Sequence, residues 1–210
     1  MRSQATVALM ALLLEGCCPC RHEARECPAG PSPASQPAEP RLTLPGRLGP
    51  ATQAAPASLE AWLVAQKLPG AGFERFAAAV KPLVGARVRW RLRSWGGEVT
   101  TGDGFETPSG TQPAKLGKTM VGRIRLISDS LVASATLSEV YDAGHPVVAC
   151  LALFPPDGEP RFVRGEAHRG DAAARGVVML EGTIWGTTYE GKGTLWLHEC
   201  AVTPATAGGQ

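Results

Sequence analysis

The chain has 210 residues, 44% of them hydrophobic and 19% charged, which leaves room for one domain, or for one domain with an unstructured arm. A formal net charge of +2 is too small to argue for any partner. The charge is nevertheless uneven. Residues 87–125 carry eight Lys/Arg against three Asp/Glu, a net of +5, whereas residues 126–210 carry five against ten, a net of −5. The two halves can therefore neutralise each other in the folded chain.

The N-terminus has the pattern of an export signal. Arg2 precedes an apolar run at residues 5–14, which is too short to span a bilayer and typical of a signal peptide. The next four residues, Leu14-Glu15-Gly16-Cys17, resemble the lipobox of bacterial lipoproteins, from which Glu15 departs because a small residue is usual there. We therefore predict a signal peptide at residues 1–16, lipidation of Cys17, and a location in the outer membrane or periplasm. The alternative is an ordinary signal peptide and a secreted protein.

Four of the six cysteines lie close together in the run CCPCRHEAREC, residues 17–27. With His22 they could be interpreted as a metal cluster, but no second cysteine pair or histidine pair follows at zinc-module spacing. We interpret the run as the lipid-bearing Cys17 followed by thiols, of which Cys20 and Cys27 could oxidise together. No metal site and no cofactor are predicted.

Residues 17–57 are predicted to be a disordered spacer, because residues 28–57 contain eight prolines and almost no apolar periodicity. A protease-resistant domain is expected to begin near Ser58, which is a plausible N-cap for a short helix that ends before Pro69. Residues 73–80 have the apolar spacing of a second short helix. Both helices are expected to pack on the strands that follow.

Strict alternation predicts a first strand at residues 87–95, with its arginines on one face and Val88, Trp90 and Leu92 on the other. Further strands are predicted at residues 119–127, at the wholly apolar residues 147–154, which should be buried on both faces, and on each side of a Gly-rich turn within residues 177–202.

The segments between these strands are less regular. Residues 96–117 are predicted to be a loop, residues 131–141 favour a strand, and residues 161–176 favour a loop with a helical piece at 171–175. The pattern predicts a mainly β domain, a small antiparallel barrel at residues 58–203, followed by a loose tail at 204–210.

Four segments resemble a family of OB-fold bacterial lipoproteins that is also called tRNA-anticodon-binding-like. They are VKPLVGARVRWRL, VVACLALF, VVMLEGTIWG and LWLHECAV, and the resemblance covers residues 73–202. The chain departs from the family at residues 96–117 and 161–176. The resemblance implies an OB-like barrel with no established enzymatic activity, and the nucleic-acid name describes the shape of the domain.

The resemblance also implies a disulfide between Cys150 and Cys200. The third and fifth strands of an OB barrel lie side by side, within the distance that a disulfide accepts, and an exported protein reaches an oxidising compartment. Strand alternation predicts that Cys200 shares a face with His198, and that Cys150 shares one with Val148 and Ala152. The alternative is two buried free thiols.

Six arginines on two neighbouring strands form a possible anion-binding face: Arg87, Arg89, Arg91, Arg93, Arg123 and Arg125. The alternative, which we favour, is a solvated face that pairs with the acids of residues 126–210. Base stacking would need exposed aromatic rings, and only Trp95 is placed for it, so nucleic acid is disfavoured. A protein or a polyanionic envelope component remains as a partner.

No catalytic residues are predicted. His198-Glu199-Cys200 could suggest metal or nucleophile chemistry, but nothing in the sequence places His145 or His168 near it, and no standard catalytic motif is present. We therefore expect a non-enzymatic, lipid-anchored binding module. The alternative is a secreted hydrolase or metal-dependent enzyme, which a pocket gathering His198 with an acid and another histidine would favour.

Replacing Cys17 tests the anchor. If Cys17 carries the lipid, Cys17→Ala should abolish incorporation of a fatty-acid analogue during metabolic labelling, because the thiol is the acylated atom. Cys18→Ala is the matched control and should label as the wild type does. Equal labelling of Cys17→Ala and wild type would rule out this anchor.

Overall fold

A computed structural model describes residues 38–100, 102–129, 145–164, 176–191 and 193–205. The helices are α1 (Leu59–Ala65), α2 (Phe73–Val80) and a 3-10 turn (Lys81–Leu83). The strands are β1 (Arg87–Val99), β2 (Phe105–Thr107), β3 (Gly110–Gln112), β4 (Lys115–Leu116), β5 (Thr119–Ser128), β6 (Val147–Phe154), β7 (Arg161–Phe162), β8 (Val177–Tyr189) and β9 (Gly193–Pro204). The predicted signal peptide, Cys17, the strand at 131–141, the helical piece at 171–175 and His168 lie outside the described residues.

Five long strands close into an OB-like barrel in the order β1-β5-β6-β9-β8, and β8 pairs with β1 again. Four of these pairings are antiparallel, whereas β6 and β9 run parallel. The prediction of a fully antiparallel barrel is therefore corrected to a mixed one. The reason is geometric, because strand direction cannot alternate all the way around a closed ring with an odd number of strands.

The barrel interior is filled by side chains from all five strands and from the helices. Along β1, Val88, Trp90 and Leu92 are buried while the arginines between them point outward, which confirms the predicted faces. β6 is buried on both sides, as its apolar sequence predicts. Leu63 of α1 and Phe76 of α2 belong to the same apolar cluster, so the two helices cover one part of the core.

The first helix begins where the sequence predicts. Ser58 is its N-cap, and the Ser58 hydroxyl oxygen accepts a hydrogen bond from the backbone N–H of Ala61 at 3.4 Å. Within the described part of the chain, no helix combines the length and apolar character needed to cross a membrane.

A β-bulge at Glu199 changes the face of Cys200. Glu181 pairs with Ala201 and Thr183 pairs with His198, so the single residue Gly182 lies opposite two residues of β9. Glu199 takes up the extra length with a φ of 54°. Cys200 therefore joins the interior cluster, whereas His198 packs outside near Trp185. The prediction that Cys200 shares the face of His198 is wrong, because regular alternation ends at the bulge.

The bulge brings Cys200 to Cys150. The two residues form a disulfide with a Cα–Cα distance of 6.2 Å, and both are buried. Cys150 lies in the interior cluster with Val148 and Ala152, as predicted. The backbone of Gly182 lies close to β9 here, since a Cβ there would be 3.2 Å from the Leu197 Cβ and 3.4 Å from the Cys200 sulfur. With a sequence separation of 50 between the cysteines, the chain-entropy model gives a stabilisation of about 4 kcal/mol.

The segment at residues 96–117, predicted to be a loop, has structure of its own. β1 continues to Val99 after a register shift near Trp95, and β2 and β3 form a two-stranded hairpin. β4 then pairs with the start of β5. β2, β3 and β4 contain only two or three residues each, which is too few for alternation to be recognised in a sequence that also contains glycine and proline.

Residues 38–57, which we name the strap, are packed against the barrel. Leu42, Leu44 and Leu48 cover an apolar cluster on its outer side, formed by Phe105, Val121, Ala149, Leu151, Trp185 and Trp196. The amide of the buried Gln112 holds the Thr43 backbone, accepting from its N–H at 2.9 Å and donating to its carbonyl at 2.6 Å. The predicted spacer is therefore corrected for residues 38–57.

The strap is held at two further points. The backbone N–H groups of Thr52 and Gln53 both donate to the carbonyl of Pro82, and the indole N–H of Trp90 donates to the carbonyl of Pro56 at 2.9 Å. Gly85 has a φ of 91°, and a Cβ there would overlap the carbonyl oxygen of Gly49. The prolines that suggested disorder thus belong to a segment that is ordered by its contacts with the barrel and the helices.

Replacing Gln112 should loosen the strap. Gln112→Ala removes both hydrogen bonds to Thr43, each worth about 1 kcal/mol, so trypsin should cleave at the exposed Arg41 and Arg47 at least about fivefold faster than in wild type. Mass spectrometry of timed digests measures these rates. Thr111→Ala is the control, because Thr111 lies on the same strand but its hydroxyl donates to Glu106 instead of to the strap. An unchanged cleavage rate in Gln112→Ala would contradict the role of Gln112.

Candidate functional site

An open polar cleft lies at one end of the barrel, which we name the mouth cleft. Its volume is about 330 Å³, and it lies between the β1–β5 connection and the turn from β8 to β9. The lining residues are Glu98, Val99, Thr100, Gly104, Phe105, Arg123 and Glu190. In OB-folds these two connections, together with the face of the second and third barrel strands, form the usual ligand-binding region.

Arg123 is the centre of the cleft. Its side chain is only 7% exposed, and its Nε donates to the carboxylate of Glu98 at 2.9 Å. Its Nη1 lies 3.1 Å from the carboxylate of Glu190. The Glu98 carboxylate is shared with Nη1 of Arg125 at 3.3 Å. Two guanidinium groups and two carboxylates therefore form one network with a formal charge of zero.

Strand register and one long-range hydrogen bond assemble this network. Glu98 pairs directly with Arg123 across β1 and β5, so the two side chains lie on the same face of the sheet. Glu190 follows β8, and its carboxylate accepts a hydrogen bond at 2.8 Å from the backbone N–H of Glu106 in β2. The two connections that border the cleft are thus joined by Glu190.

Phe105 forms the aromatic side of the site, and the fully buried Trp196 packs behind it. Phe105 and Trp196 stack with their centroids 5.8 Å apart and their planes 12° from parallel. The Arg123 guanidinium carbon lies 5.9 Å from the Phe105 centroid and 5.8 Å from that of Trp196, within the range of cation–π contact. Trp196 is fixed in turn, because its indole N–H donates to the Thr188 hydroxyl at 2.8 Å.

Part of the hydrogen-bonding capacity of the network is unused. Nη1 of Arg123 is buried and has no hydrogen-bond partner, since its 3.1 Å approach to Glu190 is an ion pair without hydrogen-bond alignment. Nε of Arg125 is also buried without a hydrogen-bond partner. A buried N–H without an aligned acceptor is costly, so the network as it stands leaves some hydrogen-bonding capacity unsatisfied.

The predicted arginine face is divided into two groups. Arg123 lines the mouth cleft, and Arg125 lies beside it, paired with Glu98 and placed over the ring of Trp95, 5.9 Å from its centroid. The other four lie along the outer side of β1 and share two acids: Arg87 and Arg89 lie 3.7 and 3.2 Å from Glu181, and Arg91 and Arg93 lie 3.7 and 2.7 Å from Asp129. Each of the six is thus ion-paired, and most of the paired acids belong to residues 126–210.

His198 lies in a different place, on the outer side of β9. It is 9% exposed, its Nε2 is 3.6 Å from Glu199, and its ring is 6.1 Å from that of Trp185. Burial lowers the pKa of His198 from 6.5; Glu199 opposes this shift and Arg164 adds to it. An open cavity beside it is lined by Arg47, Arg164, Thr183 and Glu199, among others.

The arrangement around His198 differs from a catalytic triad or a metal site. Cys200 is bonded to Cys150, so its sulfur is not a free nucleophile. Among the residues that the structure describes, no three His, Cys, Asp or Glu side chains are grouped to hold a metal ion. His145 lies just before β6, whereas His198 lies in β9.

Of the seven residues that line the mouth cleft, only Arg123 is among the sequence-based candidates; Glu98, Phe105 and Glu190 are the most important of those missed. Glu98 and Phe105 lie within the segment predicted to be a loop, and Glu190 lies in the turn between the last two strands. Glu190 precedes Gly191, whose φ of 74° is typical of a tight turn, but an acid in a turn is too common to indicate a site.

The lowered pKa of His198 predicts the direction of a pH effect. Below pH 6.5, His198 binds a proton more readily in the unfolded chain than in the folded chain. The free energy of unfolding of the wild type should therefore fall as the pH decreases, and this group contributes at most about 1.4 kcal/mol per pH unit. His198→Gln removes this loss, and its free energy of unfolding should depend less on pH between pH 7 and pH 5. Urea titrations measure it, with His145→Gln as the control. Parallel curves for wild type and His198→Gln would contradict the assignment.

Comparisons with known proteins return no match: no protein-family model matches the chain, and no curated protein or solved structure does. The functional conclusion therefore rests on the site.

Proposed function

We propose that this chain is an exported, lipid-anchored envelope protein whose OB-like domain is a non-enzymatic binding module. The apolar run at residues 5–14 and Cys17 support export and anchoring. The barrel supports binding at its surface, because large side chains such as Trp90, Leu126 and Leu180 fill its interior. A ligand must therefore bind at an end of the barrel or on its outer face.

The mouth cleft is the observation that carries the proposal. It combines a buried arginine, two carboxylates and an aromatic wall at the connections that OB-folds use for binding. The hydrogen bond between the Glu106 backbone and Glu190 joins the two connections before any ligand arrives. Such preorganisation lowers the entropy cost of binding.

The strap supports the same choice of site. Its leucines pack on the outer apolar cluster of β6 and β9, which leaves Phe105 as the member of that cluster that lines the mouth cleft. The four arginines along β1 are exposed or half-buried, but two acids neutralise part of their charge, which weakens that face as a polyanion site. We therefore assign binding of an envelope component to the mouth cleft, and attachment to the membrane to the lipid on Cys17.

Filling the cleft tests the proposal. Val99 lines the cleft and is 39% exposed, so Val99→Trp should obstruct the cleft with little cost to the core. The purified chain, with Cys17→Ala to remove the lipid, should co-sediment with isolated cell envelopes. Val99→Trp should reduce the bound fraction at least about tenfold, corresponding to a loss of about 1.4 kcal/mol.

The matched control is Val64→Trp, which places the same side chain on α1 at a position that is 63% exposed and outside the mouth cleft. It should bind envelopes as the parent does. Equal binding by Val99→Trp and Val64→Trp would reject the cleft as the site, and release of a modified envelope product by the parent would support the enzymatic alternative.

A further inference from the structure

The ion-pair network of the mouth cleft restricts the charge of its ligand. Arg123 and Arg125 are balanced by Glu98 and Glu190, and the remaining lining residues carry no charge. A charged ligand would have to break one of these pairs and leave its partner uncompensated in a partly buried position. Breaking a buried pair costs several times more than an exposed one.

A ligand with a single charge of either sign would also lie close to a residue of the same charge. A carboxylate or phosphate that accepted from Nη1 of Arg123 would approach the Glu190 carboxylate, which lies only 3.1 Å from that nitrogen. An ammonium group that approached Glu190 would meet Arg123 in the same way. Both kinds of ligand therefore gain one attraction and suffer one repulsion of similar strength.

A hydroxyl group avoids this conflict because it both donates and accepts hydrogen bonds. Its oxygen can accept from the guanidinium of Arg123, which lines the cleft, while its proton is donated to a carboxylate of the same network. Neighbouring hydroxyls on one ring could engage Arg123 and Glu190 together. Phe105 and Val99 in the lining suit the C–H face of such a ring.

The size of the cleft agrees with this chemistry. A volume of about 330 Å³ lies at the lower end of the range for small-molecule sites, and the cleft is open, so a chain of rings could extend beyond it. OB-folds bind oligosaccharides as well as oligonucleotides at these connections. Resting on the proposed function, we infer that the mouth cleft binds a neutral oligosaccharide, with the hydroxyls of one sugar ring on the Arg123–Glu190 pair.

Arginine NMR tests this inference directly. The purified chain is titrated with triacetylchitotriose, a neutral trisaccharide, and separately with heparin, a polyanion, while the side-chain Nε–Hε resonances are recorded. The resonance of Arg123, assigned with Arg123→Lys, should shift with triacetylchitotriose. Heparin should leave it unchanged, and any binding of heparin to the arginines along β1 should weaken as salt increases.

Two isosteric variants localise the contact. Glu190→Gln keeps the shape and the oxygen that accepts from the Glu106 N–H, but removes the charge that receives the sugar hydroxyl; affinity for triacetylchitotriose should fall about tenfold. Glu181→Gln makes the same change on the outer face of β8, where Glu181 contacts Arg87 and Arg89, and affinity should be unchanged. Thermal unfolding of both variants shows that they remain folded.

The outcomes separate this inference from the proposed function. A shift of Arg123 with heparin but not with the trisaccharide would overturn the neutral ligand class. Trisaccharide binding that Glu190→Gln leaves unchanged would overturn the site. If the Val99→Trp chain loses envelope binding but triacetylchitotriose does not bind the parent, the oligosaccharide inference is rejected while the binding module stands; if Val99→Trp binds envelopes normally, the proposed function itself fails.

Discussion

The barrel closes through one parallel ladder of four residue pairs, in which Val147–Cys150 of β6 lies beside Thr194–Leu197 of β9. A closed ring with an odd number of strands must contain at least one parallel pair of strands, which we name the seam, and in this barrel the seam is short. Parallel ladders are also slightly less stable per residue than antiparallel ones. The Cys150–Cys200 disulfide lies at the end of this seam and holds the two strands where the ladder stops. The rest of the core, including the helices over it, depends on that closure.

The disulfide depends in turn on the bulge. If β9 alternated regularly and Glu199 formed no bulge, Cys200 would point outward with Trp196 and His198 and could not reach Cys150 in the interior. A φ of 54° costs a non-glycine residue a small amount of free energy, which the covalent cross-link and the surrounding packing exceed. The same bulge places Glu199 beside His198, so the acid–histidine contact that suggested chemistry is a consequence of how the barrel is closed.

The sequence predicts those features in which burial alternates regularly. The two faces of β1, the apolar β6, both helices and a small barrel follow from periodicity and caps, because these patterns report burial directly, whereas the OB-like strand order is implied by the family resemblance. The bulge interrupts the period with an ordinary glutamate, and nothing local indicates it. The mouth cleft is harder still, because Glu98, Arg123 and Glu190 are distant in sequence and meet only through strand register. The order of the strap could not be predicted from its proline-rich sequence. Composition indicates whether a segment can form a core of its own, but not whether it can pack on a core formed by the rest of the chain.

The strap and the mouth cleft are parts of one connected structure. Thr43 of the strap is held by Gln112 of β3, β3 pairs with β2, and the β2 backbone at Glu106 donates to Glu190, which lies beside Arg123. The position of Glu190 therefore depends on a hairpin that the strap helps to hold. Composition alone predicts residues 38–57 to be a spacer. In the fold they lie on the domain and support one wall of the proposed binding site.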